Sequence, residues 1–167
     1  MPRLFPDAAV ALASCTLDPL APGDAAALGA RLAALDPWRT LGLSAAALAR
    51  HLTRDDPSVA RYVVRVEGEA AGAVALRDPW LRGPFLELLA VFEARQRSGL
   101  GREIVTWIAG TTRAAAPNLW VTVSSFNDRA RAFYAALGFQ EIAVLPGLIA
   151  PEYDEILLRL DVRAPAR

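Results

Sequence analysis

Apolar and polar positions along the chain alternate with two different periods, and the period changes from segment to segment. Four segments repeat apolar residues every three or four positions, which is typical of amphipathic helices. These predicted helices span residues 24–35, 44–52, 99–113 and 128–137. Seven other segments alternate or run apolar between turn residues, as strands do. These predicted strands span residues 10–18, 61–67, 71–77, 85–92, 119–124, 139–145 and 153–160.

Turn and cap residues mark the borders of several elements. Asp24 and Ser44 stand where they would cap the first two helices, because short polar side chains accept hydrogen bonds from the free amides of a first helical turn. Residues 67–69 predict a hairpin turn, and Gly138 predicts the end of the last helix. Strands dominate the first half of the chain and strand–helix–strand units the second. We therefore predict an α+β fold, a mixed sheet flanked by helices.

Length, composition and charge limit the classes of function. With 167 residues, 54% of them hydrophobic, the chain fits one compact domain over residues 1–167. The net charge of +0 gives no bulk field that would attract nucleic acid or an anionic membrane, and no apolar run is long enough to span a bilayer. All 18 basic residues are arginines. A phosphate site would therefore have to use guanidinium or backbone N–H groups.

Cys15 is the single cysteine, which leaves no intrachain disulfide and favours a cytoplasmic location. Residues 12–15, Leu-Ala-Ser-Cys, loosely resemble a bacterial lipoprotein cleavage site, which would instead mean export. Pro6 and Asp7 interrupt the apolar stretch before that site, and Arg3 is the only basic residue ahead of it. We therefore prefer the cytoplasm.

The strand at residues 85–92 leads through a turn with two glycines into a helix. The free amides and the dipole of a first helical turn attract anions. Gly99 and Gly101 carry no Cβ, so a phosphate could approach the main chain. The turn therefore predicts a phosphate or pyrophosphate site, with arginine donors at positions 95, 97 and 102. A glycine-bearing strand-to-helix connection without any ligand fits the same pattern.

Two familiar phosphate motifs do not match this turn. A Walker loop needs a lysine, and the chain has none. A dinucleotide-binding fingerprint needs a third glycine where Ile104 stands. The turn alone therefore identifies an anion site but not its ligand.

Two motifs, separated in the sequence, narrow the choice of ligand. Residues 96–101 read Q-x-x-G-x-G after an apolar strand, and residues 127–139 read N-x-x-A, then FY, then LGF. Together they resemble the GNAT superfamily of acyl-CoA-dependent N-acetyltransferases, and the order of elements agrees over nearly the whole chain. The resemblance implies the GNAT fold, a central twisted, mostly antiparallel sheet of about seven strands with a splayed parallel pair, flanked by about four helices.

The resemblance also implies acetyl-CoA as the co-substrate. Its pantetheine arm would lie in the gap of the splayed pair and bond to strand backbone as an extra strand would, at Leu89, Ala90 and Val91. Its diphosphate would be held by the segment Gln96, Arg97, Ser98, Gly99, Leu100 and Gly101, with Arg102 beside it. Asn127 would either meet the pantetheine arm or cap the following helix.

Two residues are implied as catalytic. Tyr134 matches the tyrosine that approaches the thioester sulfur in this superfamily, although it also fits a core aromatic on its helix. Glu87 is a candidate general base, because a carboxylate within an otherwise apolar strand needs an explanation. Its alternative roles are an ion pair with Arg77 or Arg82, or exposure to solvent. Glu93 is a weaker candidate base.

The acceptor site is implied to lie between the loop after the first helix and the last strands. We expect Trp38 from that loop, and Tyr153, Asp154 and Glu155 from the last strand, because carboxylates and aromatic rings suit a cationic amine. His51 is expected to be structural. It has no cysteine or carboxylate at ligand spacing, so we predict no metal site.

The predicted function is acetyl transfer from acetyl-CoA to a primary amine of a small molecule or peptide. The alternative is a non-catalytic, CoA-binding sensor or interaction domain of the same fold. The presence of both Tyr134 and Glu87 favours the enzyme. A homodimer through sheet edges is compatible with the sequence, whereas the acceptor cannot be deduced from it.

Overall fold

The structure, a computed structural model, describes residues 3–164. In chain order, its strands and α-helices are β1 (Val10–Ala11), β2 (Thr16–Pro19), α1 (Ala25–Ala33), α2 (Ala45–Thr53), β3 (Val59–Val66), β4 (Glu69–Arg77), β5 (Phe85–Val91), α3 (Leu100–Arg113), β6 (Asn118–Ser124), α4 (Asp128–Ala136), β7 (Gln140–Leu145) and β8 (Glu155–Asp161). Within these residues, no helix is long and apolar enough to cross a membrane.

The eight strands form one sheet with the order β1-β2-β3-β4-β5-β6-β8-β7. The pair β5–β6 is parallel, and the other pairs are antiparallel. The predicted fold class, a mostly antiparallel sheet with one parallel pair and flanking helices, is therefore confirmed.

The N-terminal region differs from its prediction. The single strand predicted for residues 10–18 is a small hairpin of β1 and β2, closed by a hydrogen bond from the Leu12 N–H to the Cys15 carbonyl of 2.8 Å. Cys15 and Phe5 are both buried against the sheet, so the leader-like stretch contributes to the core. Asp24 occupies the predicted N-cap position of α1, but its side chain makes no capping hydrogen bond to the helix. The Asp24 carboxylate accepts from the Ala21 N–H instead, because a short 3₁₀ turn precedes the helix.

The other local predictions hold. Ser44 caps α2 by accepting from the Ala47 N–H at 3.1 Å. The hairpin between β3 and β4 turns at Glu67 and Gly68, both with positive φ. Gly138 follows α4 with a φ of 91°, in the left-handed region that favours glycine at a helix end.

The helices cover the two faces of the sheet. Leu100, Ile104 and Ile108 of α3, with Tyr134 of α4, pack on one face. Leu28 and Leu32 of α1, with Leu48 and Leu52 of α2, pack on the other. Each helix follows from its apolar stripe, since residues three or four apart share one side of a helix.

A bulge in β5 and a gap between β5 and β6 lie in the middle of the sheet, at the candidate functional site. The pairing of β4 with β5 shifts by one residue next to Leu76, which leaves Glu87 as the extra residue of β5. Leu86 therefore faces the α3 side, whereas Leu88 faces the α1–α2 side. The parallel pair β5–β6 is joined only at Phe85–Trp120 and Leu86–Val121. Beyond residue 86 the two strands separate, as the superfamily resemblance implied.

Candidate active site

The gap between β5 and β6 opens into a cleft of about 430 Å³ on the side of the glycine turn, here called the cofactor-side cleft. Its walls are the end of β5, the turn, the starts of α3 and α4, and the loop after α1. The lining residues are Leu35, Asp36, Pro37, Trp38, Leu89, Ala90, Val91, Arg95, Gln96, Arg97, Gly99, Leu100, Gly101, Arg102, Asn127, Arg129, Ala130, Phe133 and Tyr134. Nearly all residues predicted to hold acetyl-CoA are among them.

The backbone of β5 offers alternate peptide groups to this cleft. The Phe92 N–H donates to the Ala71 carbonyl at 2.8 Å, so Phe92 and Ala90 direct their peptide groups towards β4. The peptide groups of Leu89 and Val91 therefore point the other way, into the gap between β5 and β6. The Val91 carbonyl accepts from the Gln96 Nε2 at 2.9 Å. An extended ligand chain could therefore bond to both peptide groups of Leu89 and to the Val91 N–H.

The turn after β5 has the geometry of an anion site. Arg97 and Gly99 have φ values of 61° and 84°, which fold the chain back before α3. The first backbone bond of α3 runs from the Glu103 N–H to the Gly99 carbonyl at 3.0 Å. The amides of residues 100–102 precede that bond and lie at the positive end of the helix dipole. The hydroxyl of Ser98 points away from this role, because it donates to the Arg95 carbonyl at 2.6 Å.

Gly101 lies in close packing. A Cβ at this position would lie 3.3 Å from the Phe133 ring and 3.9 Å from the Val91 side chain. The missing side chain lets α3, α4 and β5 approach one another at the base of the cleft. Gly99 has room for a side chain, because a Cβ there would meet nothing within 4 Å. Glycine is favoured at this position by its φ of 84°, which other residues rarely adopt.

Arg129 lines the cleft although the sequence did not single it out. Its Nη1 donates to Oε1 of Gln96 at 2.7 Å, and Gln96 in turn bonds to Val91. The result is a short chain of hydrogen bonds that ties α4 to the turn. An arginine two residues after the helix-capping Asn127 is the sequence signal that could have identified it.

Asn127 performs the capping role that was one of its two expected roles. Its Oδ1 accepts from the Ala130 N–H at 3.1 Å, which starts α4. Because the residue also lines the cleft, its amide nitrogen is the group that a ligand could reach.

Tyr134 lies where the cleft meets a second, smaller cavity. Its side chain is 5% exposed and packs edge-on against Phe133 and Phe139, with ring centroids 5.0 and 5.1 Å away. Burial raises the pKa of its phenol, so the hydroxyl stays protonated at neutral pH. Tyr134 is thus both a packed aromatic and a group that faces both cavities.

The second cavity, here called the acceptor-side cavity, has a volume of about 120 Å³. It lies beside the gap, between the loop after α1 and the ends of β5, β6 and β8. Trp38, Glu87, Ser124, Tyr134, Ile149 and Glu155 are among its lining residues. The structure therefore brings both predicted catalytic residues and two of the four predicted acceptor residues to one small space.

Glu87 is held by a network of charges. Its Oε1 accepts from the Nε of Arg77, and the Nη2 of Arg77 also pairs with Asp56 at 3.0 Å. The Nε2 of His51 lies 3.7 Å from Oε2 of Glu87. That Oε2 is buried and has no hydrogen-bond partner among residues 3–164. Glu87 therefore forms the expected ion pair with Arg77. His51 approaches it from α2, but burial lowers the pKa of the imidazole, so His51 is neutral at neutral pH.

Glu155, the first residue of β8, is 3% exposed. Its Oε1 accepts from the hydroxyl of Ser124 at 2.5 Å, across the paired strands β6 and β8. Burial raises the pKa of the Glu155 carboxyl, and the hydrogen bond from Ser124 opposes that rise. A buried carboxylate thus faces the acceptor-side cavity with a neutral partner.

Three other candidates lie outside both cavities. Tyr153 packs on Phe126, with ring centroids 4.8 Å apart, and the carbonyl of Asp154 accepts from the Ser125 N–H at 2.9 Å. Glu93 is exposed on a 3₁₀ turn after β5. The first two precede β8, and only at Glu155 does the chain enter the sheet and turn its side chain inward. Within residues 3–164, no cluster of three or more His, Cys, Asp or Glu residues could hold a metal ion.

Comparison with solved structures agrees with this fold. A probable acetyltransferase of the GNAT family from Chromobacterium violaceum superposes with a TM-score of 0.78 at 22% identity, over 95% of this chain and 88% of that one. RimJ from Mycobacterium smegmatis, in complex with CoA-disulfide, superposes with a TM-score of 0.72 at 21% identity, over 96% and 90% of the two chains. At these identities the likeness establishes the fold alone.

Comparison of sequences supports a relationship by family as well as by fold. The chain is 35% identical over 80 residues to 5-NmdU N-acetyltransferase from Pseudomonas phage PaMx11. That match covers 47% of this chain and 55% of the phage protein, so the chain spans about half the length of this curated relative. The family model described as "Acetyltransferase (GNAT) family" matches residues 30–139, which include the glycine turn and α4. The chain therefore belongs to the GNAT acetyltransferase family.

Proposed function

We propose that residues 1–167 act as one GNAT domain that transfers an acetyl group from acetyl-CoA to a primary amine. One observation carries the proposal. The gap in the parallel pair runs from the free amides at the start of α3 to Tyr134, and a second cavity meets the same tyrosine. A thioester and an amine could thus approach each other from the two cavities.

The cofactor-side cleft fits the chemistry of acetyl-CoA. The amides of residues 100–102 and the dipole of α3 suit its diphosphate. The open peptide groups of Leu89 and Val91 suit the amides of its pantetheine arm, which would bond to β5 as an added strand does. The side chains of Arg97, Arg102 and Arg129 also line the cleft and supply positive charge.

In the proposed reaction the amine nitrogen attacks the thioester carbonyl, the carbonyl oxygen takes up negative charge, and the carbon–sulfur bond then breaks. The CoA thiolate leaves. A thiol has a reference pKa of about 8.5 and a tyrosine about 10, so free thiolate does not remove the tyrosine proton outright. Burial raises the pKa of Tyr134 and widens that difference. Tyr134 therefore acts as a hydrogen-bond donor to the developing thiolate.

The amine needs a proton acceptor. An aliphatic ammonium with a pKa of about 10 is almost entirely protonated at neutral pH, and using its rare neutral form would cost about 4 kcal/mol. A carboxylate beside the amine can accept this proton, and burial, which raises the pKa of a carboxyl and lowers that of an ammonium, narrows the pKa difference that the transfer has to overcome. Glu87 and Glu155 both line the acceptor-side cavity and are the two candidates.

Replacement of Tyr134 by Phe tests the proposal. We expect turnover, followed as free thiol released from acetyl-CoA in the presence of a panel of primary amines, to fall about tenfold or more. The affinity for acetyl-CoA, measured by calorimetry, should persist. Tyr153→Phe is the matched control, because Tyr153 lies outside both cavities and should leave turnover unchanged.

Two results would contradict the proposal. Equal turnover of the wild-type and Tyr134→Phe proteins would remove Tyr134 from the reaction. A wild-type protein that binds acetyl-CoA but acetylates no primary amine would instead support a non-catalytic CoA-binding domain.

A further inference from the structure

The two carboxylates of the acceptor-side cavity differ in their surroundings. The charge of Glu87 is compensated by its ion pair with Arg77. His51, 3.7 Å away, adds no positive charge at neutral pH, because burial lowers the pKa of its imidazole. The second carboxylate oxygen of Glu87 is sealed from solvent without a hydrogen-bond partner in the described part of the chain. An amine in the cavity would therefore meet a carboxylate whose charge is already compensated.

Glu155 is not compensated in this way. Within residues 3–164 it takes part in no salt bridge, and its one hydrogen bond comes from the neutral hydroxyl of Ser124. A buried carboxylate without a cation is costly, because it has lost its water without gaining an opposite charge. A cationic ligand in the adjoining cavity would provide that charge.

The charged groups around the cavity have other partners. Arg77 pairs with Asp56 and Glu87, Arg39 pairs with Asp36 at 2.7 Å, and Arg129 donates to Gln96. These groups lie on β4, on the loop after α1 and on α4. None of these cations pairs with Glu155, whose partner is the neutral Ser124 hydroxyl. Burial raises the pKa of the Glu155 carboxyl, and a cationic ligand beside it would favour the carboxylate form.

We propose that Glu155 holds the ammonium group of the acceptor in the acceptor-side cavity and accepts its proton before acyl transfer. The inference rests on the proposed function and assigns the proton acceptor to β8 rather than to Glu87 on β5. The matching substrate class is a primary alkylammonium with a slim, uncharged stem. A cavity of about 120 Å³ suits a small ammonium head on a slim stem, and the Trp38 ring can cover that stem.

The proton balance of the step is complete. The ammonium gives one proton to the Glu155 carboxylate and becomes a neutral amine, whose lone pair forms the bond to the acetyl carbon. As the carbon–sulfur bond breaks, the nitrogen loses its second proton, which ends on the CoA thiolate. Glu155 later returns its proton to water. The products are the acetamide, CoA thiol and one proton.

Ethylamine and trifluoroethylamine provide a matched pair of probes. Both are small, but fluorine lowers the basicity of the second, which is therefore neutral at about pH 7. Wild-type protein, Glu155→Gln and Glu87→Gln are assayed with each amine by thiol release. Gln at position 155 keeps an oxygen that can accept from Ser124, and thermal melting shows whether each variant is folded.

We expect Glu155→Gln to lower kcat/KM for ethylamine about a hundredfold and to lower kcat/KM for trifluoroethylamine less than about threefold. The pH profiles should differ too. For ethylamine, wild-type kcat/KM should be flat from the carboxyl pKa up to about pH 10, because a carboxylate and an ammonium react together. In Glu155→Gln it should rise about tenfold per pH unit over that range, because free amine is then required.

Ser124→Ala provides a second variant that keeps the carboxylate. The hydrogen bond from Ser124 lowers the pKa of Glu155, so its removal raises that pKa. The carboxylate then forms at higher pH, and the acid limb of the ethylamine profile should move to higher pH. A limb that stays in place or moves down would contradict the assignment.

Four further outcomes are decisive. Equal loss with both amines would give Glu155 a structural role and overturn the inference. A selective loss of ethylamine turnover in Glu87→Gln, and not in Glu155→Gln, would assign the proton to Glu87. Wild-type protein that acetylates other primary amines of the panel but neither of these two would overturn the inferred substrate class and leave the proposed function standing, whereas acetylation of no primary amine at all would contradict the proposed function.

Discussion

The two cavities that meet at Tyr134 are built in different ways. The cofactor-side cleft is formed mainly by two segments, residues 89–102 and 127–134, with residues 35–38 as a further wall, and much of what the two segments offer is main chain. The acceptor-side cavity is lined by segments of β5 and β6, by α4, by the loop after α1 and by the start of β8, and the side chains of Trp38, Glu87, Ser124 and Glu155 are among the groups that it offers. One cavity is a property of the fold, and the other is a property of this chain.

The difference explains what each cavity can recognise. A ligand held by peptide groups and a helix start needs only glycines and a few polar side chains at fixed spacing, so one family can keep one cofactor. A cavity lined by side chains changes whenever one of them changes. We therefore expect substitutions in the cleft to act on acetyl-CoA binding, and substitutions in the cavity to act on the acceptor.

The largest effect is expected from Gly101→Leu. A Cβ at this position already lies 3.3 Å from the Phe133 ring, and the remaining side chain would enter the cofactor-side cleft. We expect the affinity for acetyl-CoA to fall by at least about a hundredfold, equivalent to about 2.7 kcal/mol, measured by calorimetry.

Gly110→Ala is the control on the same helix, because a Cβ there would meet nothing within 4 Å. It should leave acetyl-CoA binding unchanged and stabilise the protein by about 0.5–1 kcal/mol, because alanine favours a helix over glycine. Wild-type affinity in Gly101→Leu would show that acetyl-CoA does not bind at this turn.

A smaller effect, on the other cavity, is expected from Trp38→Ala. Removal of the ring takes away one wall of the acceptor-side cavity, so KM for ethylamine should rise about tenfold. Because Trp38 also borders the cleft, the acetyl-CoA affinity should be measured in parallel, and we expect it to change less than about threefold.

Trp80→Ala is the matched control, since Trp80 stacks on Phe85 with ring centroids 4.9 Å apart and lines neither cavity. A larger effect of Trp38→Ala on acetyl-CoA than on ethylamine would contradict the division of roles between the two cavities.

The smallest effect is expected from Arg129→Met. This change removes one link of the chain from Arg129 through Gln96 to Val91 and one positive charge from the cleft. Exposed polar contacts contribute little, so we expect acetyl-CoA affinity to fall about threefold and to depend less on salt. Arg131→Met serves as the control, because Arg131 on the same helix pairs with Glu141 at 2.9 Å and lies away from the cleft. If the two changes lowered the acetyl-CoA affinity equally, Arg129 would act only through its positive charge and not through its hydrogen bond to Gln96.

The sequence predicted most of the fold because hydrophobic periods and turn residues act locally. Two of the errors in the predicted fold also have local causes. The two short strands β1 and β2 have too few residues to display a period, and in the 3₁₀ turn before α1 the Asp24 carboxylate bonds to the Ala21 N–H instead of capping the helix. The bulge at Glu87 could not be deduced either, because it depends on how β4 and β5 pair.

The cofactor-side cleft could be predicted from the sequence far better than the acceptor-side cavity. Glycines and glutamine at fixed spacing identify the turn, because few residues tolerate its backbone angles and close contacts. Nothing local distinguishes Glu155 from Asp154 in the sequence. Only the pairing of β8 with β6 sets Glu155 beside Ser124 and turns it inward. The approach of His51 to Glu87 could not be predicted either, because it depends on how α2 packs on the sheet, and that packing has no local signal in the sequence.

The central claim is that the glycine turn and the gap between β5 and β6 hold acetyl-CoA, with its thioester beside Tyr134. A crystal structure of the protein with acetyl-CoA tests it most directly. We predict diphosphate oxygens within hydrogen-bond distance of the amides of residues 100–102, and the sulfur beside the Tyr134 hydroxyl. A cofactor bound elsewhere, or a thioester separated from that hydroxyl, would contradict the account.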